Sequence, residues 1–281
     1  TARLLDINQS MSTYISDSEI SLFNQAQINQ WQAVSDDFLQ VLTVSRQVYE
    51  QSNAAFNPSI GPLVDLWGFG PKLSVENFQQ TPAAELIADK LLALDFTAIE
   101  QKSGKIQKRK AVRLDFSAVA KGFAVDALAE LLQGFAVKDY MVEIGGEVKT
   151  AGLSPRNKVW RIGIEQPGNL RGKTFKALEL NNASVATSGD YRNYLEIDGK
   201  RYSHTINPVT GYPVDHKLSS VTVIANSVAL ADAWATAIMV LGQDKGFEIA
   251  SQQQLAVYMI YRENDQYAVK YTESMKAFLS K

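Results

Sequence analysis

A carboxylate inside an otherwise apolar helix is the first residue whose chemistry needs an account. Between Val228 and Leu241 the only polar side chains are Asp232 and Thr236, spaced i,i+4 and therefore stacked on one helical face. A buried carboxylate without a partner is costly or takes up a proton. No Lys or Arg in that stretch can neutralise it. Two readings stand open. Asp232 either accepts backbone N–H bonds or pairs with a distant base, or it helps to hold a hard cation. One carboxylate and one hydroxyl, helped by a main-chain carbonyl, form an all-oxygen set that suits Mg²⁺ better than zinc.

Other segments offer anion and proton chemistry. Leu114-Asp-Phe-Ser-Ala-Val-Ala-Lys-Gly122 places a polar step and a glycine at a helix start. Free N–H groups and Lys121 could meet a phosphate there, although the spacing is not that of a P-loop and a surface lysine is the plainer reading. Glu143-Ile-Gly-Gly-Glu147 interrupts a strand, as a bulge or as a place where a ligand lies against the backbone. Ala186-Thr-Ser-Gly-Asp190 reads as a polar turn. His204, one of two histidines, closes a hairpin strand ahead of Asn207-Pro208 and is either structural or a proton carrier. His216, in a polar loop, reads as surface.

The elements that must position these residues follow from periodicity. Ser35 caps a helix whose apolar stripe runs through Phe38, Val41, Leu42, Val48 and Tyr49, interrupted by Ser45. Thr81-Pro82 starts a second helix reaching about Leu94. A strand is expected over Val112–Phe116, then a helix over 117–132. Further strands are expected at Tyr140–Ile144, Val159–Ile164, Lys176–Leu180, Tyr194–Ile197 and Ser219–Ala225. Turns fall at Ser103-Gly104 and Asp198-Gly199, and a closing hairpin turns through Glu263-Asn264-Asp265. The fold class is α+β, mixed helices and antiparallel sheets around one continuous core.

Composition excludes several classes. A net charge of −2 over 281 residues argues against a nucleic-acid partner. With no cysteine, thiolate catalysis and Cys-ligated zinc are excluded. No apolar run is long enough to span a membrane. The first residue is Thr1, which reads as a processed or trimmed start.

Seven segments in fixed order together resemble the ApbE family of flavin transferases. They are Ser12-Thr-Tyr-Ile-Ser-Asp-Ser-Glu-Ile-Ser-Leu-Phe-Asn24, Phe56-Asn-Pro-Ser-Ile-Gly-Pro-Leu-Val-Asp-Leu-Trp-Gly-Phe-Gly70, Ser117-Ala-Val-Ala-Lys-Gly122, Gly145-Gly-Glu147, Thr187-Ser-Gly-Asp-Tyr191, His204-Thr-Ile-Asn-Pro-Val-Thr-Gly211 and Asp232-Ala-Trp-Ala-Thr236. The resemblance covers nearly the whole chain, read as one ApbE-like, T-fold-related domain over residues 1–281. The family's Met-Gly-Thr strand, which contributes to the flavin pocket, lies before the point where this sequence starts. Asn57 and Asn207 stand where relatives often carry aspartate.

The resemblance implies Mg²⁺-dependent transfer of FMN from FAD to a Thr or Ser hydroxyl of an acceptor flavoprotein, with AMP released. It implies a magnesium site of Asp232, Thr236 and the carbonyl of Ala118. It implies FAD contacts at Tyr14, Ala55, Phe56, Asn57, Asp115, Lys121 and Ile206, with His204 in catalysis. Implied partners are subunits of sodium-pump or electron-transfer type, and the implied location is periplasmic, as an inner-membrane lipoprotein. Two alternatives share these residues: an FAD pyrophosphatase giving FMN and AMP, and a non-catalytic FAD carrier.

Overall fold

The computed structural model describes residues 2–71, 80–168, 174–190, 194–197, 200–264 and 266–280. The Asp198-Gly199 turn, Tyr191 and Asp265 lie outside the described residues. In chain order come α1 (Ala2–Met11), α2 (Glu19–Gln25), β1 (Gln32–Ala33), α3 (Asp36–Gln51), α4 (Gly61–Leu66), α5 (Ala84–Leu92), β2 (Ile99–Lys102) and β3 (Lys105–Lys108). Then follow α6 (Ala120–Gly134), β4 (Tyr140–Ile144), β5 (Glu147–Ala151), β6 (Trp160–Glu165), β7 (Thr174–Leu180), β8 (Ser184–Gly189), β9 (Tyr194–Ile197) and β10 (Lys200–Ser203). The chain closes with β11 (Leu218–Ala225), α7 (Val228–Gln252), β12 (Ala256–Glu263) and β13 (Gln266–Tyr271). The α+β class and the antiparallel pairing agree with the sequence.

Where the sequence suggests one continuous core, the chain divides into two compact units: Thr1–Ala120 with Asn193–Asp215, and Lys121–Arg192 with His216–Lys281. The β9–β10 hairpin and the loop after it belong to the first unit although their neighbours in sequence belong to the second. Such an excursion depends on long-range packing and leaves no local period to detect.

In the first unit, Ser35 caps α3 by accepting a hydrogen bond from the Phe38 N–H at 3.2 Å. The α3 stripe of Phe38, Val41, Leu42 and Val48 is fully buried, and Ser45 is buried with it. A second cluster gathers Leu63, Trp67, Ile87 and Ile206, with Phe69, Leu91 and Tyr202 against it. Trp67 Nε1 donates to the Gly211 carbonyl at 2.8 Å, giving the buried indole its partner. The strand expected over Val112–Phe116 does not form. Leu114 instead donates to Asn24 Oδ1 at 2.7 Å and accepts from Asn24 Nδ2 at 2.8 Å, so one side-chain amide takes the place of a neighbouring strand.

The second unit is built on a six-stranded sheet in the order β13-β12-β11-β8-β5-β4. Residues 184–189 form a strand inside this sheet, not the polar turn read from the sequence. Polar Thr187 and Ser188 hid its character, because the neighbours that bury it come from β5 and β11. One sheet face, with Val148, Val185, Ile224, Tyr258 and Ile260, packs on Ile164, Leu178 and Leu180 of the β6–β7 hairpin. Helix α7 packs across β8 and β11. It breaks at Gly242, whose φ of 77° leaves the helical region. His216 is not the surface residue expected. Its ring lies over Gly242, and Nε2 donates to the Met239 carbonyl at 2.7 Å, next to the break. No described helix is long and apolar enough to cross a membrane.

Candidate functional site

The second unit brings Lys121, Asp232 and Thr236 together. Lys121 sits in the first turn of α6, and Asp232 and Thr236 lie one turn apart on α7. The two helices approach closely because residue 122 is glycine: a Cβ there would fall 2.5 Å from the Val228 carbonyl oxygen. Asp126, further along α6, anchors the start of α7 by accepting the Ala229 N–H at 2.9 Å while pairing with Lys149 at 2.6 Å.

Asp232 is 4% exposed and accepts the Gly122 N–H at 3.1 Å, with Lys121 Nζ 3.9 Å from its other oxygen. Both plain readings from the sequence, a backbone N–H bond and a distant base, are therefore present. Lys121 Nζ lies nearer to Glu147, 2.5 Å from Oε1. Glu147 is 1% exposed, and its Oε2 has no hydrogen-bond partner. Two buried carboxylates thus share one ammonium. Burial pushes the Glu147 carboxyl up to about 7, with the Asp232 charge adding to it and Lys121 opposing. Burial also raises Asp232, against Lys121 and the Gly122 N–H.

Thr236 Oγ1 lies 3.4 Å from Ser188 Oγ, a long contact that leaves the hydroxyl available as an oxygen donor. An acid pair with too little positive charge, beside a loosely held hydroxyl, fits a hard cation. Among the described residues no group of three or more His, Asp or Glu side chains could hold a metal. Bound Mg²⁺ would therefore keep waters, as it commonly does. The sequence reading missed Glu147 as the partner of Lys121. The available signal was the Gly145-Gly146 turn, with φ of 64° and 102°, directly before it.

Gly122→Ala is expected to force α6 and α7 apart and to disturb the N–H bond to Asp232. The cost is about 1–3 kcal/mol of stability, measurable by urea unfolding.

The other expected site residues lie in the first unit. Ala55 and Phe56 are buried and Asn57 is half-buried, in a turn entered through left-handed Asn53 and Ala54. Asn57 Oδ1 accepts from the Ser59 N–H at 2.9 Å and the Ser59 hydroxyl at 2.6 Å. Asn207 Oδ1 accepts from the Val209 N–H at 2.8 Å. Both asparagines act through an acceptor oxygen, which an aspartate would also offer. Asp115 donates its N–H to the Pro58 carbonyl at 2.8 Å, bringing it to the Asn57 turn, and its carboxylate accepts the Ser117 N–H at 2.7 Å. Ala118 follows, half-buried. The Ile206 side chain belongs to the Trp67 cluster, and its backbone bridges to Pro213. His204 is half-buried, with its ring edge-on to Phe69 and centroids 6.4 Å apart. Tyr14 is 71% exposed.

The ApbE family model matches residues 1–259 of this sequence. The chain belongs to the ApbE family. ApbE relatives of high similarity include the FAD:protein FMN transferase of Haemophilus influenzae, 40% identical over 280 residues, which cover 98% of this chain and 81% of that protein. The Escherichia coli K12 protein of the same name is 36% identical, covering 97% of this chain and 78% of its own length. Among solved structures, the flavin transferase ApbE from Vibrio cholerae superposes with a TM-score of 0.90 at 36% identity, covering 99% of this chain and 88% of that one. The apo flavinyl transferase ApbE of Pseudomonas stutzeri gives 0.88 at 36% identity, covering 98% and 85%. The ApbE fold is therefore shared along nearly the whole chain.

Proposed function

We propose that this protein transfers FMN from FAD to a Thr or Ser hydroxyl of an acceptor flavoprotein, in a Mg²⁺-dependent reaction that releases AMP. The observation that carries the reading is the buried pair Asp232 and Glu147 sharing one ammonium, in a chain 40% identical to a protein named FAD:protein FMN transferase. Asp232 and Thr236 would hold the cation, with the Ala118 carbonyl assigned to it by family resemblance. Bound there, Mg²⁺ supplies charge neutralisation at phosphate oxygens.

Lys121, at the start of α6, brings an ammonium and a positive helix end to the FAD pyrophosphate. Tyr14, the Ala55–Asn57 turn, Asp115 and Ile206 are assigned to FAD by the same resemblance. His204 takes the proton of the acceptor hydroxyl on an imidazole nitrogen. The hydroxyl oxygen attacks the phosphorus on the FMN side, and the bond to the AMP oxygen breaks. Positioning and charge stabilisation supply most of the acceleration in such transfers. The resemblance also supports a periplasmic location, with anchoring through a lipid, and acceptors of sodium-pump or electron-transfer type.

Mass spectrometry of an acceptor domain incubated with the protein, FAD and Mg²⁺ tests the reading. The expected result is a mass gain of one esterified FMN that EDTA abolishes. Release of FMN and AMP without labelling would establish a pyrophosphatase instead, and bound but unchanged FAD a carrier.

A further inference from the structure

Glu147 is built into the second unit with more care than a lone surface ion pair requires. It is the first residue of β5, and antiparallel pairing with Ile144 fixes its place. The turn before it needs glycine twice over. Gly145 adopts φ of 64°, and a Cβ on it would lie 3.3 Å from Glu147 Oε2 and 3.6 Å from Lys121 Cδ. The turn therefore packs directly on both members of the pair. Glu147 is almost wholly buried, whereas the Lys121 side chain is 48% exposed and ends between two carboxylates, 2.5 Å from one and 3.9 Å from the other. Of these charges, the ammonium is on the most exposed side chain.

A divalent cation bound at Asp232 would repel that ammonium. Without Glu147, Lys121 would have Asp232 as its nearer acid and would compete with the cation for it. With Glu147, the lysine has a second acid to lean on and stays beside the site. We propose that Glu147 is a positioning residue that draws Lys121 off Asp232, clearing Asp232 for the cation while keeping the ammonium at hand for the substrate's phosphates. This rests on the cation site proposed above.

The test is calorimetric titration of Mg²⁺ into the FAD-free protein, using wild type, Glu147→Gln, Lys121→Met and the double variant. Circular dichroism checks that each is folded, and Glu147→Asp serves as the conservative variant. Lys121→Met is expected to tighten Mg²⁺ binding by about threefold or more, because the competing charge is gone. Glu147→Gln is expected to weaken it by a similar factor, with Glu147→Asp restoring part of the loss. In the Lys121→Met background the Glu147→Gln effect should shrink to within about twofold, the signature of one residue acting through another. An equal loss in both backgrounds would make Glu147 a direct ligand and overturn the proposal, as would unchanged affinity in Glu147→Gln. Absence of Mg²⁺ binding by the wild type would instead remove the cation site itself, and this role with it.

Discussion

Replacing Asp232 with alanine is expected to abolish saturable Mg²⁺ binding and to lower FMN transfer by about 10³-fold or more, the scale of several kcal/mol of lost charge stabilisation. After the change, Glu147 and Lys121 remain as a neutral pair, and no carboxylate is left beside Thr236 on α7. Asp232→Ala leaves the buried Gly122 N–H without its acceptor, whereas Asp232→Asn keeps an acceptor oxygen there and so separates stability from metal binding. Burial holds the Asp232 carboxyl above its usual range, so keeping it ionised in the metal-free protein costs stability. Asp232→Asn, close in shape, should therefore unfold in urea with EDTA at the same or a higher midpoint than wild type. This separation of stability from function is common where a site is strained for its task. Unchanged Mg²⁺ binding by calorimetry in Asp232→Ala would remove the metal assignment.

His204→Ala is expected to slow transfer by ~10²–10⁴-fold, the usual worth of general-base assistance, while Mg²⁺ affinity stays at the wild-type value. Part of the ring's setting comes from the first unit. Phe69 meets its edge, and the loop that follows is braced by Asn207 Oδ1 and by the Gly211 N–H bond to the Asn207 carbonyl at 2.8 Å. Single-turnover labelling of the acceptor isolates this step from FAD binding. Labelling at the normal rate in His204→Ala would show that His204 carries no proton in the reaction.

Much of the site was legible because its residues break local rules. An aspartate in a run of apolar helix demands a partner wherever that helix packs, and Asp232, 4% exposed, has a backbone N–H and an ammonium. The strands Tyr140–Ile144 and Tyr194–Ile197 match their expected bounds, since composition and turn residues are local information. So is the cap at Ser35.

Local sequence signals therefore carried the family, through seven ordered segments, the α+β class, the main helices and the need of Asp232 for a partner. What met that need came from contacts distant in sequence. Glu147 reaches Lys121 across 26 residues of chain. Residues 184–189 become a strand because β5 and β11 flank them. His216 is half-buried because Gly242 opens room for its ring, and Leu114 pairs with an asparagine 90 residues away. The physical reason is common to all four. Periodicity records which face of an element is buried, but the partner that buries it is chosen by contacts far along the chain, for which a single sequence holds no local signal.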